Sequence, residues 1–248
     1  MSAPFPTRKD EAYRYADFDA LKAIWDQLAQ PKRIDIEAGE KHQHVLLPTG
    51  EGVEVRRAVI TLGVGAELAL FALNTSSEYG RIEVDLTLRE GAKLTFNAAN
   101  IGANSATLEI VTTVRHAEPS AVSRQTVRSV LGGKATGSYV GKVAVARDAQ
   151  HTDSEQSVKA MLLDRGATAN CKPELEIYAD DVKCAHGASV GELDPAQLFY
   201  AAARGLDPAA ARALLLEGFI AGLWDDVADE VQRADIAAAA RTALRAIA

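Results

Sequence analysis

The sequence is poor in cysteine, with Cys171 and Cys184 alone among 248 residues and no Cys-x-x-Cys. Two thiols cannot build a disulfide framework, so a reduced, cytoplasmic protein is expected. Positive charge is not in excess either. A net charge of −7 gives no general attraction for phosphate backbones, and no nucleic-acid partner is expected. Long apolar runs are missing. The longest, AVITLGVGAELALFAL at 58–73, is broken by glycines and Glu67. It falls short of the ~20 residues a membrane span needs, so no membrane association is expected. The opening MSAPFPTRKDEAYRYADF puts charges and aromatics where an export signal needs an apolar core. There is no GxxxxGK[ST], hence no ATP-binding loop of its own. What remains, 48% apolar and 25% charged, suits a folded chain with a sizeable core in one large or two modest domains.

A repeat occupies the middle of the chain. RIDIEAGEKHQHVLL (33–47), VITLGVGAELALFAL (59–73) and DLTLREGAKLTFNAA (85–99) superpose without gaps at a spacing of 26 residues. Gly39, Gly65 and Gly91 coincide, as do Ile34, Ile60 and Leu86, and Leu70 falls on Phe96. IEVDLTL (82–88) matches LEIVTTV (108–114) at the same spacing. Each unit reads as a short alternating strand, a glycine corner and a second alternating strand. Such a unit suits one coil of a right-handed parallel β-helix, with equivalent residues stacked ~4.8 Å apart. The six-residue rhythm of a left-handed hexapeptide helix is absent. An antiparallel sandwich with regular turns is the competing fold. Residues 123–164 keep the strand-and-glycine texture while losing the period, and LEIYADDV (175–182) reads as a further strand. His42 and His44 take apolar-face positions in the first unit and are expected to cover the end of the β-helix.

From Asp194 the composition turns to alanine, leucine and charge. Asp194-Pro195 and Asp207-Pro208 each place a capping acceptor before a proline at the first helical position. Gly205 is placed to stop the first helix. Leu214, Leu215, Gly218, Phe219, Leu223 and Val227 mark an amphipathic helix, first of all a docking face against the β-core. Another helix is expected over Ile236–Ile247, and one near the start over Tyr13–Leu28. The chain is thus expected to divide into a short helical segment 1–31, a parallel β-helix core 32–193 and a helical domain 194–248.

One pair stands out. Cys184 and His186 lie two apart, so on a strand they point the same way. Sulfur and imidazole suit iron or zinc, but a metal site wants about four ligands and nothing nearby in sequence supplies the rest. A nucleophile–base pair needs direct contact, which such positions rarely give. An inert thiol beside a hydrogen-bonded histidine is the plain alternative. His116 and His151 show no ligand-like neighbours in the sequence.

The run from Pro173 to Asp194, PELEIYADDVKCAHGASVGELD, closely resembles the signature of SufD-type members of the SufB/SufD family of iron–sulfur cluster assembly scaffolds. Leu198-Phe199-Tyr200 and Ala203-Arg204-Gly205-Leu206 resemble the continuation of that signature, and Asp153–Leu163 its upstream segment. Lys9–Tyr15 is similar to its N-terminal element, with Tyr13 for tryptophan. The resemblance implies a right-handed parallel β-helix flanked by helices, which the repeat indicates independently. It implies a scaffold with no catalytic residue of its own, pairing with a SufB-like protein through β-helix edges. A SufC-like ATPase is then expected on the C-terminal helices, around Phe199, Tyr200, Arg204, Gly205 and Phe219. His186 maps to the histidine implicated at the shared interface, and Cys184 to the motif's cysteine. A transient iron–sulfur cluster is expected there, not held stably by the chain alone. A homodimer in isolation is compatible with the same surface.

The cysteine of SufB-type members maps to Ala167, and Cys171 stands where threonine is usual, read as a buried thiol. The chain is much shorter than typical members, so the resemblance implies nothing about functions of the longer N-terminal part, flavin association among them. Two rivals stay open. One is a carbohydrate-active β-helix enzyme, which calls for clustered acids that the consecutive Asp180-Asp181 do not supply. The other is a purely structural partner whose Cys-x-His is inert.

Overall fold

Strict alternation of side chains leaves each strand with one face for a core and one for solvent, and parallel stacking of such strands closes that core. The computed structural model, described over residues 5–28, 30–50 and 52–247, follows this rule in two six-stranded parallel sheets. One sheet holds β1 (Lys32–Ile36), β3 (Val53–Leu62), β5 (Tyr79–Leu88), β7 (Thr107–His116), β9 (Thr136–Val145) and β11 (Thr168–Ile177), in that order. The other holds β2 (Lys41–Leu46), β4 (Glu67–Asn74), β6 (Lys93–Gly102), β8 (Val122–Leu131), β10 (Asp153–Leu162) and β12 (Lys183–Glu192). The chain alternates between the sheets, so each pair of strands is one coil of a β-helix. Ile60, Leu62, Leu68, Leu70, Leu86, Leu88, Leu94 and Phe96 fill its interior.

The glycine corners are where the spacing placed them. Gly39, Gly65 and Gly91 have φ of 75°, 65° and 65°, the region that favours glycine. The N–H of Gly65 donates to Glu90 O, and that of Gly91 to Pro119 O, so each corner is bonded to the next coil. Beyond Gly91 the same corner is built by Ser120 and His151, both with φ of 61°. Their N–H groups continue the rung to Gln150 O and Asp181 O.

The 26-residue spacing holds for the first coils and then fails. Ile82 faces Ile110, not Leu108, a spacing of 28. Thr107 faces Thr136 at 29, and Thr136 faces Thr168 at 32. A slip of two leaves every side chain on its own face, so alternation alone could not expose the error.

The helices differ from expectation mainly at their ends. The first is a short 3-10 turn at Glu11–Tyr13 followed by α1 (Phe18–Leu28). Asp194 caps α2 (Pro195–Ala203) by accepting from Ala196 N–H, and Gly205 follows it at φ 88°. Asp207 caps α3 (Pro208–Ile220) through the N–H groups of Ala209 and Ala210. The helix stops at Ile220, so Leu223 and Val227 lie beyond it. They still pack with Leu216 and Ile220 against Phe71, Leu73, Ala99, Ile101 and Val130 of the β2–β12 sheet. α4 (Glu230–Ile247) begins six residues before the expected Ile236 and adds Ile236, Ala240 and Leu244 to the same cluster.

The N-terminal segment is strapped over the opposite sheet by charge. Arg81, fully buried, donates to Glu109 Oε2 (3.0 Å), Glu83 Oε2 (2.9 Å) and Ala12 O (2.7 Å), and lies 4.2 Å from the Tyr13 ring centre. Tyr13 Oη donates in turn to Glu83 (3.0 Å). Burial alone raises the Glu83 carboxyl, but Arg81 and Arg57 outweigh it and hold it below the usual range. The far end of the segment pairs Glu11 with Lys172 on β11.

Candidate functional site

A β-helix has two uncapped ends, and each exposes the hydrogen-bonding edge of its last strands. At the first end the edges carry charge: Lys32, Arg33 and Asp35 on β1, and Lys41 on β2. His42 is exposed and His44 half-buried, in register with the core residues Leu68 and Leu70, so both lie at this end of the interior. At the second end β11 carries Pro173, which removes a donor, and the charges of Lys172, Glu174 and Glu176. β12 reads KCAHGASVGE and has no such guard over its middle. It is ten residues long, paired on one side only with β10, and exposed at every residue but Cys184.

Cys184 and His186 sit on this strand and face the interior. Register fixes that: Cys184 pairs with Ser154 and His186 with Gln156, both of which are buried. The columns beneath them change character along the axis. Leu68, Leu94, Ser123, Ser154 and Cys184 form one; Leu70, Phe96, Gln125, Gln156 and His186 form the other. In these two columns the first coils are apolar and those under the motif polar, while Val127, Val143 and Val158 continue the apolar core beside them. Ser123 Oγ lies 2.9 Å from both Ser154 Oγ and His116 Nε2. Burial pushes His116 down to about 4, so its imidazole is neutral and acts only within this buried chain.

Cys171 lies on β11 in register with the buried Tyr139, so it too faces the interior at this end. Both thiols pack against the main core. Burial pushes the Cys171 thiol up. It does the same for Cys184, with the Ser154 main chain pulling against it and Asp153 adding to it. Neither is a ready thiolate at neutral pH. Among the described residues, no group of three or more His, Cys, Asp or Glu side chains is placed to hold a metal ion. Cys184 and His186 are therefore two convergent donors without the rest of a shell.

Three placements differ from the sequence reading. Asp180 and Asp181 are not on a strand, because β11 ends at Ile177 and β12 starts at Lys183. They lie in the corner, where Asp181 Oδ2 meets His151 Nδ1 at 2.9 Å, a neighbour that no local pattern signals. Phe219 is half-buried in the cluster between helices and sheet, so its ring serves packing within the chain. Phe199 and Tyr200 remain outside, 76% and 62% exposed. They project from α2, with Arg204 5.2 Å from the Tyr200 ring centre. A groove between α2 and α3, lined by Tyr200, Arg204, Leu206 and Leu214, continues that apolar face. Ala167 is buried before β11.

The family model for the SUF system FeS cluster assembly, SufBD core domain, matches residues 36–219. An iron–sulfur cluster assembly SufBD family protein of Synechocystis is 30% identical over 180 residues, 72% of this chain and 40% of the relative. The chloroplastic protein ABCI7 of Arabidopsis thaliana is 32% identical over 183 residues, 72% of this chain and 38% of the relative. The iron–sulfur cluster assembly protein SufD of Escherichia coli is 33% identical over 141 residues, 57% of this chain and 33% of the relative. The chain thus matches 40% or less of the length of these relatives. No described helix is long and apolar enough to cross a membrane.

Proposed function

Because the chain belongs to the SufBD family of the SUF iron–sulfur cluster assembly system, we propose that it is a scaffold subunit whose open β11–β12 end pairs with a SufB-like member of the same family. The nascent cluster is the cargo of that junction. Cys184 and His186 contribute to its shell from this side, and the partner contributes the remaining ligands. A SufC-like ATPase docks on the face formed by Phe199, Tyr200 and Arg204, and the hydrolysis is that partner's.

The observation that carries the proposal is the state of β12. A long, flat, unguarded edge strand is a liability that proteins normally blunt, and here it holds two ligand-type side chains at the uncapped end of the core. Strand addition from a second β-helix satisfies the free edge and covers the polar interior in one step. Thiols kept protonated by burial, on a shell of two donors, suit a site that loads only when a partner completes it.

The test is anaerobic cluster reconstitution of the chain co-expressed with its SufB-like and SufC-like partners, comparing wild type with His186→Ala. The expected result is a complex that still assembles but forms little cluster. Unchanged cluster yield would reduce the motif to a structural feature.

A further inference from the structure

Inside a β-helix the nearest neighbours of a side chain are those one coil above and below, about 4.8 Å away. The column ending at His186 is Leu70 and Phe96 in the early coils, then Gln125 and Gln156. Two amides in the middle of a core cost stability unless they are bonded, so their partners carry information. Thr112 Oγ1 donates to Gln125 Oε1 at 2.8 Å, and Tyr139 Oη donates to the same oxygen at 3.2 Å. With its proton committed, the Tyr139 oxygen is left as an acceptor, and Gln156 Nε2 donates to it at 3.0 Å. The hydroxyl has room only because residue 141 is glycine: a Cβ there would lie 2.1 Å from it. Thr112 Oγ1 also lies 3.1 Å from Tyr139 Oη, and the Gln156 amide turns its nitrogen to that shared hydroxyl. Its nitrogen is held by Tyr139, while Oε1 is buried with no partner. The next residue in the column is His186, and the two line one groove at the open end.

We infer that Gln156 is the positioning residue of His186: its carbonyl oxygen, unpartnered in the conformation described, becomes the acceptor of the imidazole N–H when the exposed ring turns to it, and fixes the tautomer whose other nitrogen presents its lone pair to the open end. The inference rests on the reading of His186 as a contributor to the shared site. Histidines that ligate through one nitrogen commonly donate from the other to a carbonyl or carboxylate oxygen, which sets both tautomer and ring orientation. The Gln156 carbonyl has that polarity and is the orphaned group in the adjacent coil. The competing donor is Gln125 Nε2, also buried and unpartnered, one coil below.

The experiment uses the full chain labelled with 15N-histidine at pH 8. Ring-nitrogen shifts of His186 are assigned by their loss in His186→Ala and compared between wild type and Gln156→Leu. The expected wild-type spectrum shows two well-separated ring nitrogens of one fixed tautomer. In Gln156→Leu they move toward each other as the tautomers exchange. If Gln156→Leu does not fold, Tyr139→Phe releases the same amide and moves the shifts in the same direction. In the co-expressed complex, Gln156→Leu lowers cluster yield several-fold without preventing assembly. Identical shifts, or a cluster yield equal to wild type, would overturn the inference. Full cluster formation in His186→Ala is a separate failure, because it removes the functional reading while leaving the tautomer result in place.

Discussion

Arg81 offers the sharpest perturbation of the fold. Its guanidinium is fully buried and is, among the described residues, the only charged partner of Glu109, which is itself fully buried with one oxygen, Oε1, already unpaired. Arg81→Met leaves that carboxylate with the Tyr79 hydroxyl alone. Removing one member of a buried pair costs about 3–5 kcal/mol, because the remaining charge stays desolvated. The same change deletes the hydrogen bond to Ala12 O and the contact with the Tyr13 ring, so the N-terminal strap loosens as well. Urea unfolding of wild type, Arg81→Met, Glu109→Gln and the double variant measures the cost. Trypsin cleavage at Arg8, Lys9 or Arg14 reports the strap. We expect the double variant to be less destabilised than the sum of the singles by about 1–3 kcal/mol, with faster cleavage wherever Arg81 is missing. A loss below about 1 kcal/mol, or strict additivity, would refute the reasoning, since either means that Glu109 is not left as a stranded charge.

Two further outcomes follow from the same geometry. His116 is neutral in the fold down to about pH 4, whereas an unfolded histidine takes a proton near 6.5. Stability is therefore intact above pH 6.5 and falls by about 3 kcal/mol as the pH drops from there to 4. His116→Gln should lose this part of the slope, and equal slopes in urea titrations of the two proteins would contradict the assignment. Phe199→Ala and Tyr200→Ala remove exposed side chains, so the melting temperature should hold while affinity for the ATPase subunit drops tenfold or more, by calorimetry. Unchanged affinity would move the docking face elsewhere.

The early coils were legible in the sequence because their spacing is constant and their corners carry glycine. Equal loops keep the spacing at 26, and the left-handed corner residue is the glycine that conformation favours. Later coils hide for two reasons. Loops of unequal length erase the spacing, and Ser120 and His151 adopt the corner conformation without the glycine that would have advertised it. Asp-Pro signals at Asp194 and Asp207 marked helix starts well; at α4 Asp229 caps by accepting from Gln232 N–H, but no proline follows it to advertise the start at Glu230.

For the site, the two-residue step from Cys184 to His186 was enough to put both on one face. What lies beneath them was not readable. Gln125 and Gln156 are 31 residues apart, and Tyr139 joins them from the opposite sheet, so no local pattern connects the three. Arg81 likewise meets Ala12 and Glu109 at separations of 69 and 28 residues. Its burial could not be told from composition, which treats arginine as a surface residue.

The free edge of β12 is the surface proposed for attachment of a second family member. Amide hydrogen exchange along Lys183–Glu192, in the chain alone and in complex with its SufB-like partner, reads that edge residue by residue. Exchange is expected to be fast at alternate residues of β12 in the free chain and to slow strongly there once the partner binds. Protection appearing on another surface, with β12 still exchanging as in the free chain, would place the attachment elsewhere.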